Sequence, residues 1–477
     1  MNTKIDLKNL NIEKANKHLK DGDFTVRELV DAYLEVIKEK NTDLNAYLEI
    51  FDKDINSQVE IAEKMFEDGT ATKMTGIPIA VKDNILIEGH IASASSKMLG
   101  NHTAVYDAFV IEKLKKEGSI FLGRTNMDEF AMGSSTETSA YGVTRNPYDR
   151  TRVPGGSSGG SAVAVAADMA LVSLGTETCG SVRQPSSFCG LVGMKPTYGA
   201  ISRSGIIAMG SSLDQVGPMG KSVSDVEILY NTISGKDPLD STSLTDEFKS
   251  KFDKAPLKKK IGVPRDFLSG GGINEEVLKN FEESCEKLKK AGYEIVDVTS
   301  KTMQYSLAVY YIIMPAEVSS NLARYDGIRY GFNIDAPNLY DVYAQSKGKG
   351  FGKEVRRRLL LGTYILSHGY YDAYYNKALK VRDMIAKELL DIFSDVDAII
   401  SPTVPFTAFP LGDKMDDPMA MYMCDIFSAP ANLAGIPAMS VPAGMSKEGL
   451  PMGLQITAPY LREDILFTIG KDFEKLV

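Results

Sequence analysis

The sequence predicts an α/β protein in which strands and helices alternate along one large unit. Two patterns support this prediction: short apolar runs bounded by Gly or Pro, which are typical of buried strands, and longer runs with apolar residues at helical spacing. The 477 residues are 43% apolar and 25% charged, which is ordinary for a globular protein with a large core. Alternation of the two patterns indicates a sheet with helices packed on it.

The N-terminal part, to about residue 70, has the pattern of a helical flank. Apolar residues recur at helical spacing over residues 26–40, after Thr25 as an N-cap, and again over residues 55–66. Strand and helix patterns then alternate: strands are predicted at 76–87, 120–123 and 170–174, and helices at 107–116 and 162–170.

The C-terminal half continues the alternation after a polar stretch at residues 234–260, which has the composition of an excursion or hinge. Strands are predicted at 261–263 and 293–298, on either side of a helix at 274–291. A long helical pattern covers 355–393, and the last strands are predicted at 398–400, 438–441 and 453–456. With no internal repeat, residues 1–477 are expected to form a single domain whose N-terminal flank contacts a partner.

Composition excludes several classes of protein. The formal charge of −9 argues against a protein that binds nucleic acid without a partner, because phosphate binding depends on Lys and Arg. The four cysteines match no zinc pattern and the four histidines are scattered, so no metal site is expected. The N-terminus lacks the pattern of a signal peptide and no apolar run approaches membrane-spanning length, so a cytoplasmic protein is expected.

A block of Gly and Ser at residues 155–161 is the first candidate for chemistry. A flexible linker has this composition, but the small apolar run at 162–167 follows directly and indicates a buried helix. The block matches G-x-S-x-G, yet a polar stretch ending in Pro154 precedes it where a nucleophile elbow needs a strand. A phosphate loop is also disfavoured, because no Lys-Ser or Lys-Thr follows the glycines.

Two further sequence elements, residues 175–185 and Lys82, indicate a catalytic role only when they are considered together with the Gly-Ser block. Residues 175–185, Gly-Thr-Glu-Thr-Cys-Gly-Ser-Val-Arg-Gln-Pro, follow a predicted strand and place Ser181 after a tight turn. Lys82 interrupts a predicted buried strand, where desolvation lowers the pKa of an amine from ~10.4 towards ~7.5 and frees it as a base. Taken singly, the first is a structural turn and the second a structural or ion-paired lysine.

Together, and in this order, the three elements resemble the amidase signature family over nearly the whole chain. The resemblance implies an amidase signature fold, with a large mixed β-sheet core covered by helices on both faces. It implies a Ser–cis-Ser–Lys triad in which Ser181 is the nucleophile, Ser157 is the bridging serine before a cis peptide bond, and Lys82 is the base. It further implies an oxyanion hole formed by the backbone N–H groups of the turn before the nucleophile, at Thr178, Cys179 and Gly180.

Cys179 departs from the family pattern, which usually has Gly-Gly-Ser before the site of attack. If the backbone at this position needs a positive φ, Cys179 is strained. If it does not, the thiol is a small side chain without a role in the reaction. Cys179 as the nucleophile is a lesser alternative, because no His lies within the motif to activate it.

Further stretches resemble one branch of the family, the glutaminase components of glutamyl-tRNA(Gln) amidotransferases. These stretches are residues 194–199, 211–218, 361–364 and 369–375. The resemblance implies that L-glutamine is hydrolysed and that its ammonia passes to a GatB-like partner, which amidates Glu-tRNA(Gln) with ATP and Mg²⁺, while a small GatC-like partner completes a heterotrimer. It places no cofactor in this chain. It assigns the glutamine α-carboxylate to Arg358 and the α-ammonium to Asp425.

Two alternatives remain open at the level of the sequence. A free-standing amidase of small carboxamides has no use for a charge pair such as Arg358 and Asp425. A non-catalytic scaffold protein would keep the fold as a docking surface, and the intact set of Lys82, Ser157 and Ser181 disfavours it.

Overall fold

The computed structural model describes residues 5–252, 255–270 and 272–477. Residues 1–4, on which part of the expectation about a signal peptide depends, and residues 253–254 of the predicted polar excursion lie outside the described residues. Within the described ranges the strands are β1 Tyr47–Ile50, β2 Pro78–Lys82, β3 Ile120–Thr125, β4 Val172–Glu177, β5 Val192–Lys195, β6 Gln215–Gly220, β7 Lys260–Val263, β8 Glu294–Asp297, β9 Ala398–Pro402, β10 Ala438–Met445 and β11 Pro451–Thr457.

The helices of the same ranges separate most of these strands along the chain. They are α1 Ile12–Asp21, α2 Val26–Leu44, α3 Asp52–Glu67, α4 Phe109–Lys116, α5 Gly159–Ala166, α6 Arg183–Phe188, α7 Val223–Ile233, α8 Asp246–Lys249, α9 Arg265–Leu268, α10 Glu275–Lys290, α11 Ser306–Asn321, α12 Leu339–Gly350, α13 Lys353–Ile365, α14 Lys377–Phe393, α15 Pro418–Tyr422, α16 Ala429–Ala434 and α17 Glu463–Glu474.

The strands form one 11-stranded sheet in the order β1-β3-β2-β4-β6-β5-β10-β11-β9-β7-β8. The sheet is mixed, because β2 runs parallel to β3 and β4, and β7 runs parallel to β8 and β9, whereas the other neighbours are antiparallel. Helices pack on strands along its length, from α3 on β3 to α10 on β8 and β9. The predicted α/β fold with a large mixed sheet is confirmed.

The N-terminal flank differs from the prediction of an all-helical segment. Thr25 is the N-cap of helix α2, and its side chain accepts a hydrogen bond from Glu28 N–H in a capping box, as the sequence indicates. Between α2 and α3, however, β1 pairs with β3 and becomes the edge of the sheet. Four residues without strong alternation give little strand signal, so pairing with β3 rather than local pattern defines this strand.

The long helical pattern at residues 355–393 is broken into α13 and α14. Gly369 lies between them with a φ of 85°, a conformation that favours glycine, and residues Tyr371–Asn376 form a short π-helical turn. The sequence-based prediction of one helix is therefore wrong at its centre. None of the described helices is long and apolar enough to cross a membrane.

Helix α13 packs unusually closely on α11 at Gly362. A Cβ atom added to Gly362 would lie 1.8 Å from the carbonyl oxygen of Pro315 in α11. We therefore expect Gly362→Ala to force the two helices apart and to lower the free energy of unfolding by about 2 kcal/mol or more. Chemical denaturation of the variant and of the unaltered protein measures this change.

Gly348→Ala in α12 is the matched control, since a Cβ there meets no atom within 4 Å. Replacing a helical glycine with alanine stabilises by up to about 1 kcal/mol when space is free. Equal stability changes for the two variants would contradict the close approach of α11 and α13.

Candidate active site

The candidate site lies where three neighbouring strands end. Strands β3, β2 and β4 run in the same direction, so their carboxyl ends meet at one edge of the sheet. Lys82 is the last residue of β2 and Glu177 the last residue of β4. The carboxyl ends of parallel strands commonly carry the functional groups of α/β proteins.

Lys82 occupies the centre of this edge and is completely buried. The sequence-based view that it interrupts a longer strand is wrong, because β2 ends at Lys82 and the chain turns at once. Its Nζ lies 2.8 Å from Ser157 Oγ, 2.8 Å from Ser158 Oγ and 3.0 Å from the carbonyl oxygen of Thr176. The amine therefore contacts only neutral oxygen atoms.

Burial lowers the pKa of Lys82 from 10.5 to about 7, because removing the amine from water penalises its charged form. The carboxylates of Asp128, Glu177 and Asp214 act in the opposite direction without overcoming burial. An appreciable fraction of the amine is thus neutral near pH 7. A neutral amine has a lone pair that can accept a proton.

Ser158 and Thr176 fix the orientation of that lone pair. The Ser158 hydroxyl donates its proton to the Thr176 carbonyl oxygen at 3.1 Å, so Ser158 Oγ is left to accept from the amine. The Thr176 carbonyl can also only accept. With its two N–H groups directed at these acceptors, a neutral Lys82 points its lone pair at the third neighbour, Ser157 Oγ.

The Gly-Ser block is buried and runs from a loop at residues 155–158 into the first turn of α5, so it is not a flexible linker. A Cβ atom at Gly160 would lie 2.4 Å from the carbonyl oxygen of Asn126, so only glycine fits this approach. The peptide bond between Gly156 and Ser157 is cis, and it precedes Ser157 instead of following it. The Gly156 N–H donates to Gln184 Oε1 at 2.8 Å, which ties the loop to the segment after Ser181.

Asp128, which follows β3, holds a neighbouring loop through its carboxylate and the Gly-Ser block through its backbone N–H. Its carboxylate accepts hydrogen bonds from the backbone N–H groups of Ser135 and Thr136 at 3.2 and 2.9 Å. Its own N–H donates to the Ser157 carbonyl oxygen at 3.2 Å. Ser157 is therefore held from its backbone as well as through its hydroxyl.

Ser181 lies in the loop after β4 and beside the Gly-Ser block. Its carbonyl oxygen accepts a hydrogen bond from the Ser158 N–H at 3.2 Å. No hydrogen bond joins the hydroxyls of Ser181 and Ser157 among the described residues, so the two serines are neighbours whose side chains are not yet connected. Ser181 keeps a small exposed fraction of 4%, in contrast to the completely buried Ser157.

The backbone before Ser181 offers free donors. In the part of the chain that the structure describes, no N–H group of residues 178–181 donates a hydrogen bond to another protein atom. Unpaired N–H groups beside a buried site are uncommon and suit an incoming oxygen atom. Gly180 shapes this turn, with a φ of 73°.

Cys179 is not strained, because the positive φ falls on Gly180 and not on its neighbour. The Cys179 thiol is buried, 3.4 Å from Ser428 Oγ, and burial raises its pKa well above the usual value. A thiol that resists ionisation is a poor nucleophile. The structure thus answers the question of backbone strain that the sequence left open at this position.

A buried ion pair between Glu177 and Arg183 stabilises the loop that carries Ser181. Glu177 accepts hydrogen bonds from the N–H groups of Val182 and Arg183 at 3.0 and 3.2 Å and pairs with the Arg183 guanidinium. Burial alone would raise the pKa of Glu177, but Arg183 outweighs it and holds this pKa at about 2. The position of Ser181 therefore depends on an ionised carboxylate four residues earlier.

Arg358 and Asp425 lie on either side of one tyrosine. The Tyr311 hydroxyl donates to Asp425 Oδ2 at 2.7 Å, and the Arg358 guanidinium lies 5.7 Å from the ring centroid of Tyr311. Arg358 also donates to Glu354 Oε1 at 2.8 Å. Burial raises the pKa of Asp425 to about 7, against the opposing effects of Tyr311 and Arg358.

Asp425 lies directly beside the loop that carries Ser181. A Cβ atom at Gly180 would lie 2.8 Å from Asp425 Oδ1. A cavity of about 230 Å³ adjoins this region and contains Arg358 in its wall together with Tyr422, whose ring stacks on Tyr311 at 3.8 Å. The residues of the proposed triad do not line this cavity.

Several residues of the site were not identified from the sequence alone. Ser158 and Gln184 belong to the quoted motifs, so the motif was visible but the role of each side chain was not. Tyr311 and Glu354 give no sequence signal, because tyrosine and glutamate in helices are usually solvated or packed. Their role depends on the packing of α11 on α13, which only the tertiary structure shows.

Comparison with known protein families gives a match over most of the chain. The sequence profile described as Amidase matches residues 28–467. The chain is also 49% identical over 478 aligned residues to the A subunit of the glutamyl-tRNA(Gln) amidotransferase of Clostridium botulinum strain Kyoto, with 99% of this chain and 98% of that protein covered.

Two solved structures allow a sharper comparison. The A subunit of the glutamyl-tRNA(Gln) amidotransferase of Thermotoga maritima has a TM-score of 0.81 at 41% identity, covering 99% of this chain and 95% of its own. The native peptide amidase of Stenotrophomonas maltophilia has the same TM-score of 0.81 but 27% identity, covering 98% and 97%. The backbone of this chain is therefore equally similar to both proteins, whereas its sequence is more similar to that of the amidotransferase subunit.

The buried amine can be tested without any assay of activity. We expect the Cε carbon signal of Lys82 to titrate with a midpoint of about 7, in ¹³C NMR spectra of lysine-labelled protein. Lys82→Met should remove that signal and leave the signal of Lys195, whose pKa burial also lowers to about 7. If Lys82→Met removed only a signal that titrates above about pH 9, the amine would not be desolvated as described.

Proposed function

The chain belongs to the amidase family, and from that membership we propose that it is the glutamine-hydrolysing component of a glutamyl-tRNA(Gln) amidotransferase. The observation that carries this proposal is the 49% identity to the Clostridium botulinum protein over 99% of the chain. The free-standing amidase remains the second candidate, supported by the equal backbone similarity to the peptide amidase. The enzyme releases ammonia from the side-chain amide of glutamine, and the ammonia is used to convert Glu-tRNA(Gln) to Gln-tRNA(Gln).

In the proposed reaction, neutral Lys82 accepts the proton of Ser157, and Ser157 accepts the proton of Ser181. The Ser181 oxygen then attacks the amide carbon of glutamine. The 2.8 Å contact between Lys82 Nζ and Ser157 Oγ supports the first transfer. The second transfer needs the Ser181 hydroxyl to form a hydrogen bond to Ser157 Oγ, and the backbone contact between the Ser158 N–H and the Ser181 carbonyl oxygen at 3.2 Å supports the closeness of the two segments.

Attack turns the amide oxygen into an oxyanion, which we assign to the free N–H groups of Thr178, Cys179 and Gly180. One such donor is typically worth about 3–4 kcal/mol of transition-state stabilisation. Ser157 then returns a proton to the departing nitrogen, so ammonia leaves and Ser181 carries a γ-glutamyl ester. Water attacks the ester by the same route, which releases glutamate and regenerates the three side chains.

Glutamine selectivity is assigned to the charged side chains of Arg358 and Asp425, near the loop that carries Ser181. Arg358 suits the α-carboxylate, because a guanidinium binds a carboxylate through two parallel hydrogen bonds. Asp425 suits the α-ammonium, whose charge would favour the ionised form of a carboxyl group with a pKa of about 7. A site for small uncharged carboxamides would gain nothing from burying this pair.

The protein works in a complex with other subunits. We assign the partners to a GatB-like protein, which holds Glu-tRNA(Gln), ATP and Mg²⁺, and a small GatC-like protein that completes a heterotrimer. The acidic net charge of this chain supports leaving the RNA mainly to the partner. Because aminoacyl-tRNA is used in the cytoplasm, the complex is assigned to that compartment. The scaffold alternative is disfavoured by the buried contact between Lys82 and Ser157.

We expect Ser181→Ala to abolish glutamine-dependent amidation of Glu-tRNA(Gln) in the assembled complex but to spare amidation driven by added ammonia. The physical reason is that the variant removes the attacking oxygen without touching the partner's active site. Both rates are measured on the same preparation by following formation of Gln-tRNA(Gln).

Cys179→Ala is the matched control, since its buried thiol is not needed for the attack. It should keep most of the glutamine-dependent rate. Loss of the ammonia-driven rate in Ser181→Ala, or loss of the glutamine-driven rate in Cys179→Ala alone, would contradict the scheme.

We expect Arg358→Gln to lower kcat/KM for glutamine by about 100-fold and to change kcat/KM for butyramide by less than about 3-fold. Butyramide has the reactive amide without the two α-charges. Exposed Arg356→Gln is the matched control in the same helix and should alter neither value. Equal losses for both substrates would indicate that Arg358 supports the fold rather than selects glutamine.

A further inference from the structure

Glu354 is a mostly buried carboxylate of α13 that the proposed reaction does not use. Its Oε1 accepts hydrogen bonds from Arg358 Nε at 2.8 Å and from the Tyr422 hydroxyl at 3.4 Å. Its Oε2 pairs with the Arg357 guanidinium. Both oxygens are therefore occupied by donors of the protein, although Glu354 lies in the wall of the cavity. A carboxylate bound in this way is better suited to hold Arg358 than to bind a substrate.

The contact with Glu354 leaves one edge of the Arg358 guanidinium free. A guanidinium binds a carboxylate through two parallel N–H groups, and it offers two kinds of edge: one includes Nε, and the other consists of Nη1 and Nη2. Glu354 occupies Nε, whereas Nη1 contacts only the Met314 sulfur at 3.8 Å. No described residue accepts a hydrogen bond from Nη2. The edge formed by Nη1 and Nη2 is therefore available to a carboxylate in the cavity.

Two stacked tyrosines support the same guanidinium. The rings of Tyr311 and Tyr422 stack with centroids 3.8 Å apart, and the guanidinium carbon of Arg358 lies 5.7 Å from each centroid. A guanidinium beside aromatic faces gains cation–π attraction without using its N–H groups. One hydroxyl of the tyrosine pair donates to Glu354, and the other donates to Asp425. The pair therefore connects Glu354 with the acid that is assigned to the α-ammonium group.

We propose that Glu354 is a positioning residue for glutamine: it binds Nε of Arg358 and thereby directs the edge formed by Nη1 and Nη2 at the α-carboxylate. The inference rests on the proposed function, because it requires that Arg358 recognises this carboxylate. Without Glu354 the guanidinium is free to rotate, and ordering it when the substrate binds costs side-chain entropy. Glu354 therefore increases the affinity for glutamine, although its own charge repels the α-carboxylate.

The sign of the effect on KM distinguishes this role from two simpler ones. A carboxylate that only competed with glutamine for Arg358 would weaken substrate binding, so its removal would lower KM. A carboxylate that positions Arg358 strengthens substrate binding, so its removal raises KM. A residue that only supports the fold would affect glutamine and uncharged amides alike.

Ammonia release from glutamine and from butyramide, by the complex assembled with the co-expressed partner proteins, tests the inference. We expect Glu354→Ala to raise KM for glutamine by about 30-fold, with changes of less than about 3-fold in kcat for glutamine and in kcat/KM for butyramide. Glu354→Gln should restore KM to within about 5-fold of that of the unaltered complex, because an amide oxygen can still accept from Nε. Glu354→Met keeps the length of the side chain without a good acceptor, so it should behave as Glu354→Ala does and replaces that variant if alanine impairs folding.

A double variant tests whether the two residues act together. If Glu354 acts through Arg358, adding Glu354→Ala to Arg358→Gln should change kcat/KM for glutamine by less than about 2-fold. Glu286→Ala is the matched control, since Glu286 pairs with exposed Lys289 at 2.7 Å within α10 and outside the cavity. This control should alter neither substrate's kinetics, because isolated exposed pairs contribute little. Thermal unfolding of each variant distinguishes a change in KM from loss of the fold.

An unchanged or lower KM for glutamine in Glu354→Ala would overturn the inference. An equal loss for butyramide, or full additivity with Arg358→Gln, would do the same. Failure of the proposed function would be recognised in the unaltered complex, as a kcat/KM for glutamine no greater than that for butyramide, and it would overturn the inference as well. A glutamine-selective unaltered complex whose selectivity survives Glu354→Ala would reject the positioning role alone.

Discussion

The candidate active site depends on the buried amine of Lys82, which has no carboxylate as a direct hydrogen-bond partner. Lys82 contacts two hydroxyls and one carbonyl oxygen, and burial keeps its pKa near 7. The two acids with the largest opposing influence on this pKa are each occupied elsewhere. Asp128 is bound by backbone N–H groups of residues 135–138, and Glu177 is paired with Arg183. A direct salt bridge to either would stabilise the ammonium and remove the base.

Those same two acids also hold the serines. Asp128 is bound to the loop that carries Ser157, and Glu177 to the N–H groups that follow Ser181. The Asp128 carboxylate holds residues 135–138, and the Glu177 carboxylate holds the N–H groups of residues 182–183, through hydrogen bonds of 2.9–3.3 Å. Both carboxylates also raise the pKa of Lys82 from a distance. Glycine at positions 160 and 180 makes this compact arrangement possible, because side chains there would meet neighbouring atoms at less than 3 Å.

The sequence was most informative where residues close in the chain act together. The helix after Thr25, the strand before Lys82 and the buried Gly-Ser loop follow from local pattern, because caps, apolar runs and small residues report directly on local structure. It was least informative for β1, whose strand exists only through pairing with β3, and for residues 355–393, where Gly369 breaks a pattern that otherwise continues. Ser158, Tyr311 and Glu354 could not be assigned, since their roles arise from contacts that the tertiary structure creates.

Trapping the covalent intermediate tests the central claim most directly. The protein, by itself and with its partners, is mixed with glutamine, quenched in acid within milliseconds and digested, and the peptides are analysed by mass spectrometry. The account predicts a γ-glutamyl ester on Ser181, and none when Lys82 is replaced by methionine. A γ-glutamyl group on Cys179 or Ser157, or an undiminished ester on Ser181 in the absence of the Lys82 amine, would contradict it.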